Sequence, residues 1–274
     1  MVSSVTSVIT SGTPERASAL SGPEQIQESS SEIFGVNAFT LKIIAIITMT
    51  IDHIVFFRVF DFYVPSLEYL RIFGRFTFVI MVFLMSEGYR YTHNKYKYFV
   101  RMLLFAILAM YPYYLLKGHP FNVLFTLAAG LLLLIIKDET VERLKSVDPR
   151  IITGIFLILS MIASWTFREA SWGWPGIFVI YIAGQIKDPK INAFAVPCLL
   201  FVGSIWEYGF ENHINITQFA PFIWCFYVGI LMTIPLLYAY NGEEGYKGKG
   251  ILRYMFYVYY PLHLAALYCI KMWC

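Results

Sequence analysis

Charged side chains are scarce in this chain. Asp, Glu, Lys and Arg make up 14% of its 274 residues, where soluble domains carry about 25%. Hydrophobic residues reach 58% and the mean hydropathy is +0.61. A water-soluble fold of this length has too small an interior to bury that much apolar surface, so the solvent for most of the chain is lipid. Neither sign of charge predominates, with 21 Lys and Arg against 18 Asp and Glu. A net charge of +3 gives no electrostatic footprint for a nucleic-acid partner. The cysteines are few (Cys198, Cys225, Cys269 and Cys274) and none has CxxC or CxxH spacing. That excludes a disulfide framework and a zinc finger, and no metal is expected; the cysteines read as small buried apolar residues. The opening stretch, Met1–Glu32, lacks both the basic start and the apolar run of a secretory signal. It is rich in Ser, Thr, Glu, Gly and Pro and reads as a disordered cytoplasmic tail, which divides the chain into a polar tail over 1–35 and a single membrane domain over 36–274. No fixed-period repeat is present, and the halves show no inverted symmetry, which counts against transporters built that way.

What the sequence does have is long apolar runs. A helix needs about 20 apolar residues to cross roughly 30 Å of hydrocarbon. Nine runs qualify: Phe39–Phe57, Tyr69–Met85, Phe99–Leu116, Phe121–Ile136, Ile151–Phe167, Trp174–Gln185, Ile191–Tyr208, Ile216–Ala239 and Ile251–Ile270. The fourth and sixth are short, and the sixth reads equally as re-entrant. Basic residues gather in alternate connections: Arg90, Lys95, Lys97 and Arg101; Lys137, Arg143, Lys145 and Arg150; Lys187 and Lys190; Lys247, Lys249 and Arg253. Cytoplasmic loops carry the excess of Lys and Arg, so this alternation predicts an all-α polytopic protein of about nine transmembrane helices with its N-terminus inside.

Ionisable groups within such runs are costly and mark functional sites. The first run reads Lys42-IIAIITMTI-Asp52-His53. At about 100° per residue, the step from Lys42 to His53 is three turns plus roughly 20°, so both project from one face about 16 Å apart along the axis. Asp52 points about 100° away from His53 and is not its same-face orienter. The second run holds Arg71 and Arg75 one turn apart, and ends at Glu87 with Arg90 beyond it. Arg75, at a depth similar to Asp52, is the expected partner of that carboxylate and holds the helices in register. Asn122 and Thr126 share a face of the fourth run, fitted either to hold helices together or to touch substrate. The last run carries Tyr260-Pro261-Leu262-His263, and places His263 at a depth comparable with His53. Two histidines meeting in one plane suit proton transfer, because imidazole titrates near neutrality.

With these residues in order, the chain resembles the TraX family of membrane acetyltransferases, named for a conjugative-pilus protein that acetylates the pilin N-terminus. The likeness extends from about Phe39 to Ile270. It rests on Lys42 with Asp52-His53, Glu87-Gly88-Tyr89-Arg90-Tyr91-Thr92, Asn122 to Thr126, Trp172-Gly173, Tyr240-Asn241-Gly242 with Gly245, and Phe256 through Tyr260-Pro261 to His263. Ser171 departs from the pattern, which leads one to expect an acidic residue there. The family is similar to the broader acyltransferase-3 group, with a basic residue, ten residues and a His on its first membrane helix; Lys42 and His53 fit that spacing. The resemblance implies an acyltransferase domain in a bacterial cytoplasmic membrane and acetyl-CoA as acyl donor. It implies His53 as base, with Asp52 and His263 as further catalytic candidates. Lys42, Glu87, Arg90 and Arg101 stand at the donor end; Arg75, Asn122, Thr126 and Tyr260 register helices or face the substrate. Acceptors left open are a pilin-like or exported peptide amine and an envelope saccharide hydroxyl.

Two other classes fit the buried charges. A proton-coupled transporter or exporter predicts flux along a pH gradient with no chemical change. A noncatalytic assembly subunit predicts that Lys42, His53 and His263 tolerate alanine.

Overall fold

The computed structural model describes residues 35–60, 65–213, 221–245 and 251–273. The tail expected before Gly35, Lys247 and Lys249, and the start of the eighth apolar run at Ile216 lie outside the described residues, as do the side chains of Cys225, Arg253 and Cys274.

Each of the nine apolar runs contains helix: α1 Ala38–Phe56, α2 Arg71–Tyr91, α3 Lys95–Lys117, α4 Val123–Arg143, α5 Pro149–Thr166, α6 Gly173–Gln185, α7 Pro189–Asn212, α8 Pro221–Leu231, α9 Ile234–Tyr238 and α10 Ile251–Trp273. A 3-10 turn, Pro65–Leu70, leads into α2. Asn and Asp side chains set several starts by accepting from first-turn amides. Asn37 accepts from Thr40 N at 2.9 Å, Asn94 from Lys97 N at 2.8 Å and Asn122 from Leu124 N at 3.0 Å. Asp148 and Asp188 cap α5 and α7, each followed by a proline that needs no amide partner in the first turn. Gly118, at φ 85°, closes α3 in the left-handed region. The eighth run is not one helix: it turns at Met232–Thr233, just before Pro235, and continues as α9. Pro235 has no amide to extend the preceding helical hydrogen bonds.

Among the described residues there is no strand; Val36 and Tyr240 form an isolated parallel bridge. Around it, Ala38 N donates to Glu243 O at 2.9 Å and Phe39 N to Glu244 O at 3.2 Å. Carbonyls from the segment before α10 thus satisfy two amides that the first turn of α1 leaves without helical partners.

Among the described residues, five helices are long and apolar enough to cross a membrane: Ala38–Phe56, Ser66–Tyr91, Lys95–Lys117, Pro149–Thr166 and Pro189–Phe210. Large apolar residues such as Leu104, Ile107, Ile158, Val202 and Leu262 point outward from the bundle, as a surface solvated by acyl chains requires. The chain is a multi-pass helical membrane protein. Cys198 and Cys269 lie on that outer surface rather than buried among helices; lipid is the apolar surrounding their position called for.

The short sixth run resolves as an interior helix. α6 has 13 residues, about 20 Å of rise, and most of it is buried among α4, α5 and α7. It packs tightly against Gly130 of α4, where a Cβ would sit 2.3 Å from Ile180 Cγ2. Glycine lets the two helices touch here, as small residues do at membrane-helix interfaces. Gly130→Leu is expected to destabilise the bundle by about 1–3 kcal/mol, read as a lowered thermal midpoint in detergent; an unchanged midpoint would contradict the close approach. Asn192 of α7 adds a polar tie, donating to Ser86 Oγ at 2.8 Å and Ala183 O at 3.2 Å.

Candidate active site

One face of α1 and one face of α2 border a cavity of about 740 Å³, with α3 and α10 contributing the facing wall. Ala38, Lys42, Ala45, Met49, His53 and Phe56 all open onto it. This is the three-to-four-residue stripe of one helix face, so Lys42 and His53 share a single continuous space, as their spacing predicts. The cavity follows α1 for most of its 19 residues, about 27 Å.

The His53 end is built from α1, α2 and α10. His53 Nδ1 lies 2.8 Å from His263 Nε2, and His263 Nδ1 lies 3.1 Å from the Tyr259 carbonyl. His263 is 6% exposed. Its ring lies edge to edge and nearly coplanar with His53, centroids 5.1 Å apart and planes within 6°, and parallel to the Tyr259 ring at 5.2 Å. The Tyr259 hydroxyl is 2.7 Å from Thr50 Oγ1. The depth match between the two histidines is therefore a direct contact. Tyr260 is buried, lines the cavity and sets its ring edge-on to His53.

Asp52 turns away from His53, as the helical geometry requires, and points toward α2. It makes an ion pair with Arg71 at 3.5 Å, and Arg75, its expected partner, is close enough to act on the same carboxylate electrostatically. Gly74 is the reason for this geometry: a Cβ there would lie 2.2 Å from Asp52 Cγ, so the carboxylate occupies the space glycine leaves. Arg75, one turn along α2, also lines the cavity and sits 4.6 Å from the Trp172 ring centroid, a cation–π distance. Trp172 is itself stacked on Phe78.

At the other end, Lys42 approaches the Phe256 ring at 5.4 Å, and Arg101 lies over Tyr257 and Tyr98 at 5.0 and 5.4 Å. Lys97 and His93 border the same space, with Glu244 opposite. Glu87 lines the cavity but is 4% exposed and ion-paired to Arg90. Arg90, expected at the donor end, is turned away from the cavity. It donates to Glu87, to the Ser86 carbonyl and to the Lys187 carbonyl, and so ties α2 to the α6–α7 connection. Lys95 is likewise held by Asp138 at 2.6 Å, with the Tyr89 hydroxyl on the same carboxylate. Burial weakens that carboxylate, but hydrogen bonds from Lys137, Lys95 and Tyr89 outweigh it and lower the Asp138 pKa below the ordinary value.

Asn122 and Thr126 hold the scaffold. Asn122 stands just before α4, capping it and donating to Ala106 O at 2.9 Å. Thr126 donates to Ser171 O at 2.7 Å, which places the Trp172 turn against the cavity. Asn122 ties the start of α4 to α3 and Thr126 ties α4 to the turn before α6, and neither lines the cavity. Sequence reasoning missed Thr50 and Tyr259. The signal was there: Tyr259 and His263 are one turn apart, as are Ile46 and Thr50.

A helical membrane bundle with paired histidines and a chain of cations around one internal cavity defines the class. The chain belongs to the TraX family, whose model, described as TraX protein, matches residues 38–271. It is also similar to a probable fimbrial assembly protein FimC, serogroup H1, of Dichelobacter nodosus. The two are 32% identical over 256 residues, covering 86% of this chain and 96% of that relative. No solved structure matches.

Proposed function

We propose that this protein is a membrane-embedded acetyltransferase that moves an acetyl group from cytoplasmic acetyl-CoA to the amine or hydroxyl of a fimbrial subunit or similar exported acceptor. The observation that carries this reading is the continuity of the cavity between Lys42 and His53. Cations at one end suit the phosphates of CoA, and charge-assisted hydrogen bonds to phosphate are the strong kind. An imidazole at the other end suits a general base. His53 takes the acceptor's proton as its nitrogen or oxygen bonds to the thioester carbonyl carbon. The carbon–sulfur bond breaks, and His53 returns the proton to the departing thiolate. Arg71 and Arg75, both on the cavity wall, are placed to favour negative charge developing on the carbonyl oxygen. The family and the relative's name support a fimbrial setting.

The same reading orients the chain. The nine helical runs thread the bacterial cytoplasmic membrane with the N-terminus inside, so the Lys42 end faces the cytoplasm and the Trp172 end the opposite side. The basic connections Tyr91–Lys97 and Gln185–Lys190 then lie inside. α6, too short to cross alone, is held within the bundle.

The test uses inside-out vesicles containing the native protein, labelled acetyl-CoA and purified fimbrial subunit. Label on the subunit is expected. Flux driven by a pH gradient with no acetylated product would overturn the enzyme reading in favour of transport. Lys42→Ala should raise KM for acetyl-CoA about tenfold with kcat little changed, the signature of lost ground-state binding. Arg90→Ala should instead lower the thermal midpoint and leave that KM within about twofold; the reverse pattern would reassign the donor end.

A further inference from the structure

We infer that His263 is a positioning residue, not a second proton carrier: it fixes His53 in the tautomer whose Nε2 lone pair faces the cavity. The inference rests on His53 being the base, but its geometry is independent of the acceptor. A backbone carbonyl only accepts, so the His263 Nδ1 at 3.1 Å from Tyr259 O must carry the proton and donate. A neutral imidazole has one N–H, which leaves His263 Nε2 as an acceptor. The contact at 2.8 Å then requires His53 Nδ1 to donate. His53 Nε2, across the ring, keeps its lone pair. The opposite assignment would set the His263 Nδ1 lone pair against the carbonyl lone pairs.

A second hydrogen-bonded pair holds the donor's frame. Thr50 Oγ1 lies 2.8 Å from Ile46 O, a contact in which the hydroxyl donates. Its remaining partner, the Tyr259 hydroxyl at 2.7 Å, is therefore the donor to Thr50. Tyr259 is thus fastened to α1 by its side chain while its carbonyl aims His263, and the in-plane contact with His263 leaves His53 little freedom to rotate. When His53 gains the acceptor's proton, both of its N–H groups are charged. The Nδ1–H still points at His263 Nε2, whose own N–H points at a carbonyl, so every dipole along the row is aligned to stabilise the imidazolium. The row does for His53 what a buried carboxylate does for the histidine of a catalytic triad, with no charge of its own.

The test has two arms. In the full-length protein in nanodiscs, 15N-histidine spectra assigned with His53→Gln and His263→Gln should show both rings protonated at Nδ1 and bare at Nε2. A His53 protonated at Nε2, or a doubly protonated His263, overturns the inference whether or not the protein transfers acetyl groups. In the vesicle assay, His263→Gln retains an acceptor for the His53 N–H and should keep kcat within about tenfold of native, with the same pH profile, whereas His263→Leu should lose about a hundredfold or more. If the Gln variant is as inactive as the Leu variant, His263 carries a proton itself and the positioning role is wrong. Absence of acetyl transfer by the native protein would count against the proposed function alone, since the spectroscopic arm still decides the tautomer.

Discussion

His53→Ala should reduce acetyl transfer by about a hundred- to ten-thousandfold, the range a positioned general base supplies, while acetyl-CoA binding changes little. The separation follows from the geometry. His53 lies eleven residues along α1 from Lys42, about 16 Å away, and its hydrogen bond is to His263 on α10, not to any cation at the donor end. Removing the imidazole leaves Lys42, Lys97 and Arg101 on the cavity wall. The variant should therefore bind acetyl-CoA by calorimetry yet leave the fimbrial subunit unlabelled. Truncation also leaves an imidazole-sized space beside His263, so added imidazole should restore part of the rate. Full activity in the alanine variant would remove the base assignment; loss of donor binding together with catalysis would indicate a misfolded cavity.

The second large effect is expected at Gly74. Any side chain there meets Asp52 atoms at 2.2–2.4 Å, closer than nonbonded atoms approach. Gly74→Leu forces either α1 off α2 or the Asp52 carboxylate away from Arg71, and breaking one side of a buried charge pair costs about 3–5 kcal/mol. Loss of folded protein in mild detergent is the expected outcome. Gly154 of α5 supplies the control, because a Cβ there has nothing within 4 Å; Gly154→Leu should retain the native midpoint within a few degrees, as an outward-facing substitution does. Equal behaviour of the two variants would mean that α1 and α2 are not in the close register described.

Much of the fold could be read from the chain because lipid makes apolar length a structural signal. Each of the nine apolar runs contains helix, and among the described residues five helices are long and apolar enough to cross a membrane. The stripe from Lys42 to His53 was legible because helical periodicity alone decides which residues share a face. The depth of His263 was legible for the same reason, but the 2.8 Å contact was not, since helix pairing is a tertiary fact. Arg90 and Lys97 illustrate the limit. Both are basic residues at neighbouring helix ends, yet one is bound to Glu87 and two carbonyls while the other borders the cavity. Only the arrangement of α6 and α7 beside α2 separates them. Asp52 shows the same limit: its depth predicted Arg75 as a partner, but the ion pair with Arg71 one turn away depends on the space that Gly74 leaves. The break at Met232–Thr233 had its cause in plain view at Pro235, though the continuous hydropathy of the eighth run concealed it.

The carbonyls of Glu243 and Glu244, bonded to the first amides of α1, moor the start of the Lys42 helix to the stretch of chain that leads into α10. Those two helices carry His53 and His263. A displacement of Glu243 and Glu244 would be carried along α1 as a rigid rod to His53, although neither carbonyl touches the chemistry.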